Sequence, residues 1–464
     1  LENYPLGVTY FHRGHLHLQL GELDQAFQDF TKSIEKGLIE AYSPRAIINL
    51  LLNNKEAALA DCNQALKFEP QNADNYLVRS FIYMFLKNYP QALADVTKAI
   101  DLENKNDLLY FQRGLYYSLN NQDKLALQDL NQALELNPDQ VDYYKFSGLL
   151  KLNLKDYEGA LKDYTQAITL NRDDGDSYQG RARAYWALNN QEEAIEDYSV
   201  FMKLNPNLYS YVERGSWRQQ IKDYQGAIAD FSSFIQQKPD QPGGYIFRGG
   251  VYRDLQDYSQ AINDYNKAIE IAPNNTRAYV ERSHIYRRLN NYSAAMKDVN
   301  KIIELMPNKP LGYQTRGSIH YAQNNYEKAL ADYQLALSKD QNLLYAPITL
   351  ANIGIIKYEQ GDIQKAIQLW QQAVNIREDL DSDISVHEVG RANASKLALA
   401  TAFYSAGQSE KALFLAKEAL RTDRRLEDIS YLQDNLWGQQ MVKDWTNLLK
   451  NPQIKAFLAQ RADK

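Results

Sequence analysis

One cysteine, Cys62, stands alone in 464 residues. No intrachain disulfide framework can form, and a reducing, cytoplasmic setting is expected. No apolar run approaches the roughly 18 residues that a membrane span requires, and no secretory leader is visible. A charge excess of either sign is also missing, with 52 Lys and Arg against 58 Asp and Glu. Nucleic-acid binding needs a basic footprint, so that class of partner is not expected. The phosphate loop G-x-x-x-x-G-K-[ST] and the nucleophile elbow G-x-S-x-G are absent. His387-Glu388 lacks the second histidine of a zinc helix. His12, His15 and His17 cluster near the start, but a metal needs three or four convergent ligands and none is obvious beside them. No carboxylate pair stands out for acid–base work. Catalysis, a bound metal and a cofactor are therefore not expected.

What the chain does have is a period. A segment of the form Ala-[Leu/Ile]-x-Asp-[Tyr/Phe] recurs from Ala26-Phe27-Gln28-Asp29-Phe30 to Ala329-Leu330-Ala331-Asp332-Tyr333. The ten aspartates are Asp29, Asp61, Asp95, Asp129, Asp163, Asp197, Asp230, Asp264, Asp298 and Asp332. Seven of the nine intervals between them are 34 residues, one is 32 and one is 33. A fixed period of this size means a solenoid of one repeated unit, in which each copy packs on its neighbours. Such an array grows without a single large core and presents a long surface.

Each unit reads as a helix hairpin. Tyr10, Gly14 and His17 share a helical face, as do Ala26, Phe30 and Ser33, and Leu20-Gly21-Glu22 between them suffices only for a turn. Small residues recur on the first helix (Gly14, Ala46, Ser80, Gly114, Gly148, Ala182, Gly215, Gly249, Ser283, Gly317) opposite the alanine column of the second, which lets two helices approach closely. A tyrosine column from Tyr10 to Tyr313 is read as core packing that fills the wider part of the joint. Pro70, Pro138, Pro206, Pro239, Pro273 and Pro307 end second helices. Together these residues resemble the tetratricopeptide repeat, closely over 1–346 and loosely over 347–422. The resemblance implies an all-α fold, a right-handed superhelical solenoid of antiparallel helix pairs with a concave groove lined by the first helices. About ten regular and two degenerate repeats are expected, followed by C-terminal capping helices over 423–464.

One column departs from the family's pattern. Arg replaces Leu at Arg13, Arg45, Arg79, Arg113, Arg181, Arg214, Arg248, Arg282 and Arg316, with Ser147 the exception. Its period matches that of the aspartates, so a ladder of half-buried ion pairs between helices is expected. After Tyr333 the beat slips: Ile353 takes the Arg position and Leu369 the Asp position. An acidic stretch, Glu378 to Asp383, reads as a loop or helix end. Leu432, Leu436, Trp437, Val442, Trp445, Leu448 and Leu449 mark a tail that seals the last open apolar face. No matching cap precedes the first unit, which leads us to expect a further segment upstream.

A second stripe lies about 100° around each first helix from the Tyr/Gly face. It is apolar early, with Val8, Phe11, His15 and Leu18, then Leu77, Phe81, Met84 and Phe85, then Phe111 and Leu115. It turns basic and polar later, with Arg183 and Trp186, then Ile246 and Arg253, then Arg277, His284, Arg287 and Arg288. This is the expected binding surface for a protein or peptide, apolar at one end and acidic at the other. Partner-binding residues are thus Leu77, Phe81, Met84, Phe85, Phe111, Leu115, Arg183, Trp186, Arg253, Arg287 and Arg288. Family members that hold chaperone tails clamp a terminal carboxylate with Lys, Asn and Arg; no such set is in phase here. A non-catalytic interaction scaffold is the leading reading. The alternative is the sensor or regulatory region of a larger effector such as a protease, because the repeat subtype is similar to bacterial, notably cyanobacterial, arrays that can follow such domains.

Overall fold

In a computed structural model, which describes residues 4–379, 386–422, 424–434 and 436–462, the chain is helical throughout, with no strand among the described residues. It divides into two compact units, Leu1–Ser210 and Tyr211–Lys464. The first holds six antiparallel hairpins, from Tyr4–Gln19 with Leu23–Glu35 to Gly175–Ala187 with Gln191–Leu204. The second holds the seventh to tenth, then Ala346–Glu359 with Ile363–Asp379, then Val386–Ser405 with Ser409–Thr422. Each second helix packs on its own first helix and on the first helix of the next hairpin within its unit. Residues 380–385, and with them most of the acidic stretch, lie outside the described residues.

The turn inside each hairpin is set by one residue in the left-handed region, seven positions after the small residue. It is Gly21, Asn53, Lys87, Asn121, Lys155, Asn189, Lys222, Gln256, Asn290, Asn324, Gly361 and Gly407 in succession. Gly and Asn adopt this conformation at little cost, whereas Lys and Gln are forced there by the packing on either side.

The joint between the two helices shows why small residues recur. The alanine column is fully buried from Ala26 to Ala366. Four residues after each alanine stands the side chain that fills the joint, and outside the sixth hairpin, where Tyr198 stands with Ala182, the large rings lie opposite glycine. Phe30 faces Gly14, Tyr164 faces Gly148, Phe231 faces Gly215, Tyr265 faces Gly249, Tyr333 faces Gly317 and Trp370 faces Gly354; a Cβ on those glycines would come within 2.6–3.0 Å of the ring. Smaller Cys62, Val96 and Val299 stand in the hairpins that carry Ala46, Ser80 and Ser283. Close packing couples the two positions, so a ring that meets a glycine leaves no room for a Cβ there.

The tyrosine column does a different job from the one its spacing suggested. It is half-buried, with Tyr279 alone below a tenth exposed. In eight hairpins the guanidinium three residues later lies over the ring, 5.3–5.9 Å from its centroid. The hydroxyls of Tyr76, Tyr279 and Tyr313 donate to the carbonyls of Pro70, Pro273 and Pro307 in the preceding loop. The tyrosine is therefore a plate between loop and arginine, and the buried ring on the second helix is the filler.

The ion-pair ladder is present. Nine arginines grip the aspartate sixteen residues on through Nε and Nη2, at 2.5–3.0 Å. The aspartates are only 2–7 % exposed. In six hairpins the remaining Nη1 donates to Thr31, Asn63, Thr97, Thr165, Ser232 or Asn266 on the second helix of the preceding hairpin. Each of these six arginines thus ties its own two helices to the neighbouring hairpin. In the fifth hairpin Ser147 leaves a gap, and Lys151, one turn later, reaches Asp163 at 2.6 Å instead. In the eleventh both charges vanish together: Ile353 and Leu369 are buried in one apolar cluster.

The tail covers two surfaces. Helix Gln439–Leu449 lies across Ala346–Glu359 and Val386–Ser405, the first helices of the last two hairpins, while Pro452–Ala462 packs on Ser409–Thr422. Leu432, Trp437, Met441, Trp445, Leu448 and Ile454 join Tyr358, Trp370 and Leu397 in the largest apolar cluster of this unit.

Candidate interaction surface

Consecutive first helices touch directly along the stack: the second on the third, the fifth on the sixth, and the eighth through the twelfth in sequence. Between the third and fifth, side chains bridge the first helices, Met84 packing beside Leu115 and Phe111 stacking on Tyr143. Relative to the small-residue column, the outward face of each first helix is built from side chains three before and one, four and five after. The residues singled out from the sequence fall on these positions.

In the N-terminal unit the surface is hydrocarbon and aromatic. Leu77, Phe81 and Met84 are half-buried and Phe85 is 56 % exposed. The Phe81 and Phe85 rings meet edge to face at 4.8 Å. Phe111 stacks on Tyr143 of the next hairpin at 4.7 Å, and Leu115 packs beside Met84 against Val96 and Tyr116. These side chains divide their surface between inter-hairpin packing and solvent. The stripe extends further than was read from the sequence: Leu51 and Leu119, at the position of Phe85, are 58 % and 51 % exposed. Their signal was the same five-residue offset from Ala46 and Gly114. Arg183 is exposed and Trp186 half-buried.

His12, His15 and His17 do not converge. His15 sits edge-on to Phe11 and Phe30, at 4.6 and 5.1 Å, and burial with His12 nearby lowers its pKa. The Nδ1 of His17 pairs with Glu22. Among the described residues no group of three or more His, Cys, Asp or Glu side chains is placed to hold a metal.

In the C-terminal unit the same face is polar and internally paired. Arg253 bonds Asp254 and reaches Glu281 on the next first helix at 2.6 Å, and Gln219 donates to Asp254 at 2.6 Å. Burial would raise the Glu281 carboxyl, but Arg253, His284 and Arg277 outweigh it and hold the pKa below the usual range. The basic stretch seen in the sequence is therefore largely compensated at Arg253. Arg277 lies over Phe247 and Arg288 over Tyr258, each 5.4 Å from the ring centroid. Arg287 is half-buried and Arg288 exposed, while Ile246 is core.

Tetratricopeptide repeat models match residues 8–35, 108–140, 147–207, 244–275, 276–309, 310–343 and 348–380, more than half of the chain. The chain belongs to the tetratricopeptide repeat family. No curated protein matches the sequence. Among solved structures, yeast Tom70 is 16 % identical, covers 98 % of this chain and 99 % of its own, and superposes with a TM-score of 0.46. A tetratricopeptide repeat protein of Parabacteroides merdae is 20 % identical over 53 % of this chain and 97 % of its own, with a TM-score of 0.39. The C-terminal part of a Cytophaga hutchinsonii repeat protein is 18 % identical over 52 % and 98 %, with a TM-score of 0.46. The repeats identify a protein-interaction scaffold. No described helix is long and apolar enough to cross a membrane.

Proposed function

We propose that this tetratricopeptide repeat chain is a non-catalytic adaptor that binds a polypeptide along the groove face of its first helices, in a cytoplasmic setting. The observation that carries this is the row Leu51, Phe85 and Leu119. Three large apolar side chains stand on consecutive first helices at one repeat position, each more than half exposed. The joint within each hairpin already has its filler four residues after each alanine, so this exposed row is not needed to close it. Large apolar side chains left exposed on one face mark an interaction site. Leu77, Phe81, Met84, Phe111 and Leu115 widen the apolar surface, and Arg183 and Trp186 continue this unit's face. In the C-terminal unit, Arg253, Arg287 and Arg288 supply a second, polar face suited to an acidic segment. With 52 basic and 58 acidic residues, a polypeptide is favoured over nucleic acid as the partner.

Two paired substitutions test this. Polypeptides retained from host extract by the native chain should be lost on Phe85→Asp with Leu119→Asp if they use the apolar face. They should be lost on Arg287→Glu with Arg288→Glu if they use the polar one. The reading fails if both double variants, folded by circular dichroism, retain the same polypeptides as the native chain.

A further inference from the structure

The last two hairpins show what the first-helix face accommodates. Helix Gln439–Leu449 lies on it and buries Met441, Trp445 and Leu448, an i, i+4, i+7 stripe. Its start is held by the eleventh hairpin. Glu359 accepts from the backbone N–H groups of Met441 at 3.0 Å and Gln440 at 3.3 Å. The Tyr358 hydroxyl donates to Asp444 at 2.7 Å. A carboxylate on the unsatisfied N–H groups of a helix N-terminus is favourable on both hydrogen-bond and dipole grounds. Tyr358 and Glu359 stand four and five residues after Gly354. Met84 and Phe85 stand four and five after Ser80, and Phe85 is open. Ile355, one residue after Gly354, is 4 % exposed in the covered hairpins, whereas its equivalent Leu149 is 45 % exposed.

The chemistry of the uncovered face narrows what can lie on it. In hairpins two to four the positions one, four and five after the small residue are Ile47, Leu50 and Leu51, then Phe81, Met84 and Phe85, then Leu115, Ser118 and Leu119. With Ser43, Leu77 and Phe111 three before the small residue, two of twelve side chains, Ser43 and Ser118, can bond a peptide backbone, and Ser43 already donates to Asn75. An extended segment laid there would surrender water at N–H and C=O groups and receive little in return. A helix satisfies its own backbone and offers only side chains. Charge narrows it further. Glu40 and Asp74 are exposed along one edge, each six residues before the small residue, whereas Asp142 and Asp176 at the same position share Lys145 at 3.5 and 3.7 Å. Residues 1–210 carry 20 Lys and Arg against 29 Asp and Glu, a field that draws a basic partner.

We propose that the first-helix face of hairpins two to four binds an amphipathic partner helix with an i, i+4, i+7 apolar stripe and Lys or Arg along one flank. This rests on the polypeptide-binding reading of the same face and adds the partner's conformation and charge. The test uses the full chain and three labelled synthetic peptides, followed by fluorescence anisotropy. One is a stapled helix with Leu, Trp and Leu at i, i+4 and i+7 and Lys on one flank. The second has the same composition with two central prolines and no staple. The third is the stapled helix with Glu in place of Lys. The lysine helix should bind at least about tenfold tighter than either other peptide, about 1.4 kcal/mol, and Phe85→Asp with Leu119→Asp should remove that binding. Proline-peptide binding of equal strength, lost in the same variant, overturns the helix while the polypeptide-binding reading stands. Equal binding of the Glu helix overturns the basic flank. If no peptide distinguishes native chain from variant, the proposal is overturned. If host polypeptides also stay on the variant, the underlying reading falls with it.

Discussion

The fifth hairpin isolates the value of a single ladder contact. Ser147 is fully buried, its hydroxyl has no hydrogen-bond partner, and Lys151 alone neutralises Asp163. Removing one partner of a buried pair leaves an uncompensated charge. Lys151→Ala should therefore destabilise this hairpin by up to about 3 kcal/mol, read by urea melts, and Ser147→Arg in that background should restore most of the loss. A Lys151→Ala chain as stable as the native one would show that Asp163 needs no cation. Cys62 gives a second test at this scale. Burial pushes its thiol up to about 12, so the thiolate that attacks an alkylating agent is scarce near neutrality. Native protein should resist iodoacetamide at pH 8 and react only when denatured; labelling of the folded chain would contradict the packing around it. The arginine and aspartate columns were legible because a charge that recurs with the period of the fold must serve the fold. Lys151 was not, because its reach depends on a side-chain path that spacing does not give.

At the level of the hairpin, the ladder and the joint make distinct contributions. Asp197→Asn keeps the shape of the side chain but removes the charge that faces Arg181, and the expected cost is again about 3 kcal/mol. Since repeats interact mainly with their neighbours, the loss should be local. Amide exchange should quicken in the fifth and sixth hairpins and change little in the ninth and tenth, and a uniform change or none would count against a ladder built of local ties. The turns offer the reverse case. Lys155 sits at φ 63°, a conformation that costs an L-residue about 1–2 kcal/mol. Part of that is regained by Lys155→Gly, which should raise the midpoint of unfolding. The hairpins themselves, their turns and their proline ends could be read directly. The role of tyrosine could not. An aromatic at i and a small residue at i+4 share a face, but whether the ring points into the joint or along the loop depends on the arginine above it and the proline carbonyl beside it.

For the whole molecule, carboxylates held below their ordinary range set the acid limit. Hydrogen bonding to Arg13 lowers Asp29, and Arg253 with its neighbours lowers Glu281 against its burial. Both have folded pKa values below the unfolded ones, so their contribution is intact above the unfolded value near 4 and is lost as pH falls through the folded value. Thermal stability should fall steeply below about pH 4, and Glu281→Gln should make that fall shallower. A melting temperature flat from pH 5 to 2 would contradict the sign.

The sequence by itself determined the repeat, the hairpin and the ladder, because each is a local pattern multiplied until chance is excluded, and the tail's apolar stripe, because helical spacing alone groups its residues on one face. Tertiary structure decided what a single period cannot carry. It set Arg253 against Glu281 from the next hairpin, put Lys151 in place of an arginine, and laid Gln439–Leu449 over the first helices of the last two hairpins rather than only on the end. These depend on which side chains from different copies reach each other, and identical spacing leaves that open until the copies are packed.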